Sequence, residues 1–290
     1  MSSAPRGTDT TFALGGTLTV PRLGFGAMQL PGPVGGPARS PAQSAAVARR
    51  AVELGALHID TAAFYFSAGG VRANDILRRA LHPYPEGLSI ATKVGPLRNE
   101  DGEMVGEAGP GQLRAAVRQN LKDLGLDALD LVYLRVGRLS GSNGAPLGER
   151  FAALSRLRDE GLIRHLGVSN VTAAQLAEAR AIAPVAAVQN RYGVLDQDDD
   201  ALVDTCAAAG IAFVPFFALG GSGGSLSDAA LRKVAERHGA TEHQVAIAWG
   251  LARSPSVVQI PGTASLAHLE ENMASAQLSL TEEDMALLAA

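Results

Sequence analysis

At 290 residues and 47% apolar composition the chain can bury a large core, and its net charge of −4 comes with scattered basic residues. That balance argues against nucleic acid or an anionic membrane as partner, and a single cysteine, Cys206, excludes an internal disulfide. No run has the length and apolarity of a membrane span or a signal-peptide core, so a cytoplasmic, enzyme-sized protein is expected.

The stretch "TFALGGTLTVPRLG" reads as a hairpin ahead of the first strand, placed to plug a barrel floor. Eight strand candidates follow: "RLGFGAM" (22–28), "ALHIDTA" (56–62), "LSIATKV" (88–94), "ALDLVYLR" (128–135), "IRHLGVSN" (163–170), "VAAVQN" (185–190), "IAFVPFF" (211–217) and "SVVQIPG" (256–262). Amphipathic segments at helical spacing lie between them, among them "PAQSAAVARRAVELG", "GPGQLRAAVRQNLKDLG", "TAAQLAEARAIA" and "DDDALVDTCAAAG". Gly55, Gly125, Gly161 and Gly210 end such patterns as helix C-terminal caps do. Two further helical stretches, 227–238 and 241–253, precede the last strand, and 281–288 forms a final short helix. Continuously apolar strands separated by helices pair in parallel through right-handed crossovers. Eight such units predict an α/β fold, a (β/α)8 TIM barrel with an N-terminal hairpin and extra C-terminal helices, in one domain over residues 1–290. "GFGAMQ" lacks the third glycine of a dinucleotide fingerprint, which counts against an open nucleotide-binding sheet.

In a barrel of this kind chemistry sits at the C-terminal strand ends. Those ends carry Asp60, Lys93, Arg135, Ser169, Asn170, Gln189 and Asn190, with Tyr65 five residues beyond Asp60. An ammonium beside a phenol favours proton release from it, so Asp60, Lys93 and Tyr65 suit acid catalysis. The plainer reading is a structural Asp–Lys pair with Tyr65 as a packing aromatic. Arg135 ends an apolar strand, where a guanidinium is costly to bury without partners. It either anchors an electron-rich group of a ligand or caps its strand by pairing with a loop carboxylate such as Glu103 or Glu107.

Other polar and aromatic residues read more simply. Trp249 belongs to the core, His58 points into packing or toward the back of the site, and Met28 either lines a pocket or packs. His82 sits on a helix end, His238 and His243 read as surface, and Asp198–Asp200 form a helix N-terminal turn. No His, Cys, Asp or Glu spacing suits a metal. The loops 29–39, 64–70, 95–109 and 136–147 are expected to grip the substrate.

The sequence resembles the aldo-keto reductases. "RLGFGAMQL", "HIDTAAFY", "IATKVG", "IRHLGVSN", "VQNRYGVL", "VPFFALGG" and "IPGTASLAHLEENM" carry the likeness in order along nearly the whole chain. The resemblance implies a (β/α)8 barrel that moves hydride from NADPH to a small-molecule aldehyde or ketone, with NADH the lesser cofactor. It implies Tyr65 as general acid, Lys93 as its partner, Asp60 as counter-ion and Arg135 where the family usually has a histidine. For the cofactor it implies Gly26, Met28 and Asp60 along the groove, and Ser169, Asn170 and Gln189 at the nicotinamide carboxamide. Phe216 falls at the nicotinamide ring, Leu219, Gly220 and Gly221 at the pyrophosphate, Thr263, Ser265 and His268 at the 2′-phosphate, and Glu271 and Asn272 at the adenine. The 2′-phosphate region departs from the pattern: Gly262 and Ala264 replace frequent cations, and Glu270 adds a negative charge.

A bacterial branch, the pyridoxal reductases, shares the arginine of "LRV", which makes pyridoxal the candidate substrate. The alternatives are a reductase of another carbonyl from specialised metabolism, or a cofactor-binding regulatory module with vestigial activity. A monomer or weak homo-oligomer is expected.

Overall fold

The computed structural model describes residues 10–33, 36–67, 69–99, 101–138, 141–220, 226 and 228–289. Strands β1 (Thr11–Leu14) and β2 (Leu18–Pro21) form the expected antiparallel hairpin. The barrel staves follow as β3 (Phe25–Gly26), β4 (His58–Asp60) and β5 (Ser89–Val94). After a second hairpin, β6 (Pro96–Arg98) and β7 (Met104–Glu107), come β8 (Leu129–Arg135), β9 (Ile163–Ser169), β10 (Ala187–Gln189) and β11 (Ala212–Phe213). The parallel sheet runs β11-β10-β9-β8-β5-β4-β3.

Residues 256–260 close the circle. Val257 bridges Phe213 and Gln259 bridges Leu23, both in parallel, with Val258 N–H donating to Phe213 O at 2.9 Å and Gly24 N–H to Gln259 O at 2.8 Å. This eighth stave makes single bridges rather than a continuous ladder, because Pro255 and Pro261 flank it and carry no N–H to donate. Closure is tight. A Cβ on Gly262 would lie 2.6 Å from the Gly26 carbonyl oxygen, so the chain meets itself there through two glycines.

Helices pack around the staves: α1 (Pro41–Glu53), α2 (Ala73–Leu81), α3 (Pro110–Leu124), α4 (Gly148–Asp159), α5 (Ala173–Ile182) and α6 (Asp200–Ala208). The C-terminal set is α7 (Ala229–His238), α8 (Glu242–Arg253), α9 (Leu266–Ala274) and α10 (Glu282–Leu288). Gly55, Gly125, Gly161 and Gly210 all adopt positive φ after helices, as their positions predicted. Thr172, Thr241 and Thr281 cap α5, α8 and α10 by accepting the N–H three residues on.

Strand alternation sorts the core into two layers. Val132, Leu134, Val188 and Phe213 face the helices, while Ala91, Leu131, Tyr133, Ala187, Ala212 and Val258 fill the barrel. Leu14 and Val20 of the hairpin pack into that inner cluster, so β1 and β2 plug the floor. Small residues make room for Tyr133: a Cβ at Gly167 would sit 2.5 Å from its ring.

One expectation is corrected. Residues 95–109, read as a loop, fold into the β6–β7 hairpin, in which Asn99 Oδ1 accepts from Glu103 N–H at 2.8 Å. The sequence "PLRNEDGEMVGE" hides its alternation, because a register slip between Leu97 and Arg98 leaves Val105 as an extra residue.

Candidate active site

The same alternation aims the functional side chains. Asp60 follows His58 on the inner face of β4, Lys93 follows Ala91 on β5, and Arg135 follows Leu131 and Tyr133 on β8. Ser169 and Gln189 end β9 and β10 in register with Arg135 and with each other. All five are buried.

Lys93 and Asp60 form an ion pair with side chains 2% and 3% exposed. Lys93 Nζ also donates to Thr61 O at 2.9 Å, and Gln189 Nε2 donates to the second Asp60 oxygen at 2.9 Å. Buried Thr61, Asn74, Thr92 and Asn120 link the ends of β4 and β5 to α2 and α3 by three hydrogen bonds of 2.8 Å each. Tyr65 occupies the turn between β4 and α2, held by its N–H to Ala62 O and by Ala73 N–H to its carbonyl. Lys93 Nζ lies 4.8 Å from the Tyr65 ring centroid. A fixed ammonium therefore stands beside a half-buried phenol.

His58 lies one layer deeper, its Nδ1 2.8 Å from Ser89 Oγ. Burial lowers its pKa to about 4, with the Asp60 charge opposing. The folded state therefore refuses a proton that the unfolded chain accepts, and stability is lost as pH falls from the usual histidine value toward about 4. Between about pH 7.5 and pH 5 this component lowers the unfolding free energy by roughly 2 kcal/mol. Urea unfolding of His58→Gln, whose amide can keep the Ser89 bond, should show a flatter acid limb; an unchanged limb would assign the acid loss elsewhere.

Arg135 is 6% exposed. Its Nη1 donates to Ser169 Oγ at 3.2 Å and its Cζ stands 4.7 Å over the Phe216 ring. Nη2 is buried and, among the described residues, has no hydrogen-bond partner. The strand-capping reading fails on geometry: Glu107 pairs with Arg150 and accepts from Gly137 N–H, and Glu103 accepts from Asn99. Burial pushes the Arg135 pKa down, Tyr65 pulls it up, and Arg98 pushes it further down.

A groove with a cavity volume of about 250 Å³ opens beside Tyr65. Of the residues expected at a cofactor, Gly26, Met28, Asp60, Phe216 and Leu219 line it near the barrel, and Thr263, His268 and Asn272 line it farther out. Gly220 adopts φ 80° and donates its N–H to Phe217 O at 2.9 Å, while Gly221 lies outside the described residues. Asn170, at φ 62°, spends its amide donors on Val136 O and Arg138 O. Ser265 caps α9, and Glu271 accepts from Thr241 Oγ1 at 2.5 Å; neither lines the groove.

His243, read as surface from sequence, is exposed but lines the groove. Its place in the first turn of α8 was legible; that α8 presents this turn to the groove was not. Glu270 lies off the groove wall and pairs with Arg50 at 2.9 Å. A side chain at Gly262 would require the backbone at the barrel closure to shift, because its Cβ would meet the Gly26 carbonyl oxygen at 2.6 Å.

The Aldo/keto reductase family profile matches residues 22–290. Pyridoxine 4-dehydrogenase of Escherichia coli (strain K12) is 47% identical over 281 residues, spanning 96% of each chain. A thermostable aldo-keto reductase solved with the inhibitor epalrestat superposes with a TM-score of 0.80 at 31% identity, covering 96% of this chain and 98% of that one. An aldo/keto reductase of Klebsiella pneumoniae, solved with NADP and acetate, superposes at 0.79 with 26% identity, covering 96% and 94%. With barrel, strand-end side chains and whole-chain match in agreement, this chain belongs to the aldo/keto reductase family.

Proposed function

We propose that the protein is an NADPH-dependent reductase of small aldehydes, with pyridoxal as candidate substrate and pyridoxine as product. The observation that carries this reading is the buried Lys93–Asp60 pair beside Tyr65, where the groove meets the cleft holding Arg135. The 47% identity to a pyridoxine 4-dehydrogenase over nearly the whole chain supports the substrate.

The residues fit the cofactor. Gln189 Oε1 is buried and has no partner, while Nε2 of the same amide is committed to Asp60. A carboxamide N–H would satisfy that acceptor, and Ser169, whose Oγ accepts from Arg135, keeps its own proton to donate. Phe216 offers a ring face at the groove, Thr263 and His268 offer donors for a 2′-phosphate, and Asn272 offers its amide to an adenine. When bound, NADPH supplies hydride to the carbonyl carbon. Tyr65 donates a proton to the carbonyl oxygen, Lys93 stabilises the phenolate left behind, and Asp60 with Gln189 keeps Lys93 aimed.

Two or so neutral hydrogen bonds to the 2′-phosphate should make NADPH bind about tenfold more tightly than NADH. Equal dissociation constants, or a lower one for NADH, would overturn the preference.

Arg135 anchors the ring oxygen beside the pyridoxal aldehyde, which is anionic near neutrality. Arg135→Ala should therefore cost pyridoxal about ten- to a hundredfold in kcat/KM beyond any loss on a neutral aldehyde of similar size. Arg135→His should rescue the neutral aldehyde better than pyridoxal. Equal losses on both substrates would leave Arg135 as scaffold, and a wild-type protein that oxidises no NADPH with pyridoxal would exclude that substrate.

A further inference from the structure

We propose that Arg98 is a second substrate-binding cation, and that Arg98 and Arg135 together select planar aldehydes carrying an anionic oxygen beside the carbonyl. This deepens, and rests on, the reductase reading above. The two guanidiniums line one cleft that adjoins the cofactor groove, with Tyr65, Met28, Phe216 and Phe217 lining both. The cleft's cavity volume is about 50 Å³, enough to seat the oxygen-bearing edge of a ring whose remainder extends into the adjoining groove.

Among the described residues neither arginine pairs with a carboxylate. Arg98 Nη1 donates to Gly102 O at 3.2 Å within its own hairpin, and its Cζ stands 5.5 Å over the Phe64 ring. Its Nε is buried without a partner, as is Nη2 of Arg135. The nearby acids are engaged elsewhere: Asp60 with Lys93 and Gln189, Glu107 with Arg150, and Glu103 with Asn99. Burial pushes the pKa of each guanidinium down, and Arg98 lowers that of Arg135 further.

Two partly desolvated like charges facing one small cleft are costly unless an anion joins them. Stacking on Phe64 and Phe216 holds the two guanidiniums in place beside that cleft, and a guanidinium fork suits a phenolate or carboxylate on a flat ring. The register slip beside Arg98 belongs to the same design, since bulges next to active sites re-aim side chains. A role confined to bracing the hairpin would account for Nη1 but not for the inward, unpartnered Nε.

The test uses the full chain with NADPH at a pH where salicylaldehyde is ionised, with 2-methoxybenzaldehyde as its neutral counterpart. Arg98→Met should lower the salicylaldehyde to 2-methoxybenzaldehyde ratio of kcat/KM by about tenfold, mainly through KM, and Arg98→Lys should recover part of it. A ratio within about twofold of wild type in Arg98→Met would overturn the proposal. Calorimetry with NADP+ at neutral pH, on wild type and on Arg98→Met, supplies an arm that needs no turnover, and the variant should lose most of the wild-type preference for salicylate. Salicylate should bind about tenfold more tightly than salicylamide and weaken with added salt, whereas equal affinities would overturn the clamp. If wild-type protein reduces neither aldehyde, the reductase reading fails, and the calorimetric comparison still decides the two-arginine site.

Discussion

Tyr65→Phe should lower kcat for aldehyde reduction by about 10²- to 10⁴-fold while leaving the NADPH dissociation constant within about twofold of wild type. The phenol proton is needed only when charge develops on the carbonyl oxygen, so its loss falls on the transition state rather than on binding. The ring itself stays, and with it the contact to Lys93 at 4.8 Å and the cleft and groove walls it forms. Stopped-flow oxidation of NADPH with a reactive neutral aldehyde reads the chemical step directly. A variant that keeps most of its kcat would remove Tyr65 from the acid role and point to water or Arg135 as donor.

Lys93→Met should be comparably inactive and also less stable. The ammonium that faces the phenol disappears, and Asp60 is left as a buried carboxylate to which, among the described residues, Gln189 alone donates from a side chain. Removing one member of a buried ion pair costs about 3–5 kcal/mol, because the surviving charge stays desolvated. Denaturant unfolding should show that loss, and the double substitution Asp60→Asn with Lys93→Met should recover much of the stability with none of the activity. That split separates the two contributions of the pair: its charge balance supports the barrel mouth, and its ammonium serves the phenol. A double variant as inactive and as unstable as the single one would mean that Lys93 acts through packing instead.

Much of the fold was legible because its signals are local. Apolar runs of strand length, helical spacing between them and glycines at helix ends all survive in short windows; seven of the eight strands form inside the expected runs, β3 and β11 shortened to two residues each, and the eighth is reduced to single bridges. Asp60, Lys93 and Arg135 were legible for the same reason, since the end of a parallel strand in a barrel is a position that can be counted along the chain. Less legible were features that depend on pairing. The β6–β7 hairpin hides behind a register slip, His243 reaches the groove only because of how α8 packs, and Glu270 is drawn to Arg50 across the gap between α9 and α1.

The sequence by itself determined the alternation of strand and helix, the barrel class and the placing of Asp60, Lys93 and Tyr65 at its mouth. Tertiary structure decided who partners whom. Whether Arg135 can cap its strand through Glu103 or Glu107 depends on where those two spend their charges: Arg150 of α4 pairs with Glu107, and Asn99 of the same hairpin turn donates to Glu103. Whether a glycine is incidental or obligatory depends on the backbone it meets, as Gly26 and Gly262 show where the barrel closes. The reason is physical. Propensity and periodicity act between near neighbours in the chain, whereas charge compensation and close approach act between groups that only folding brings together.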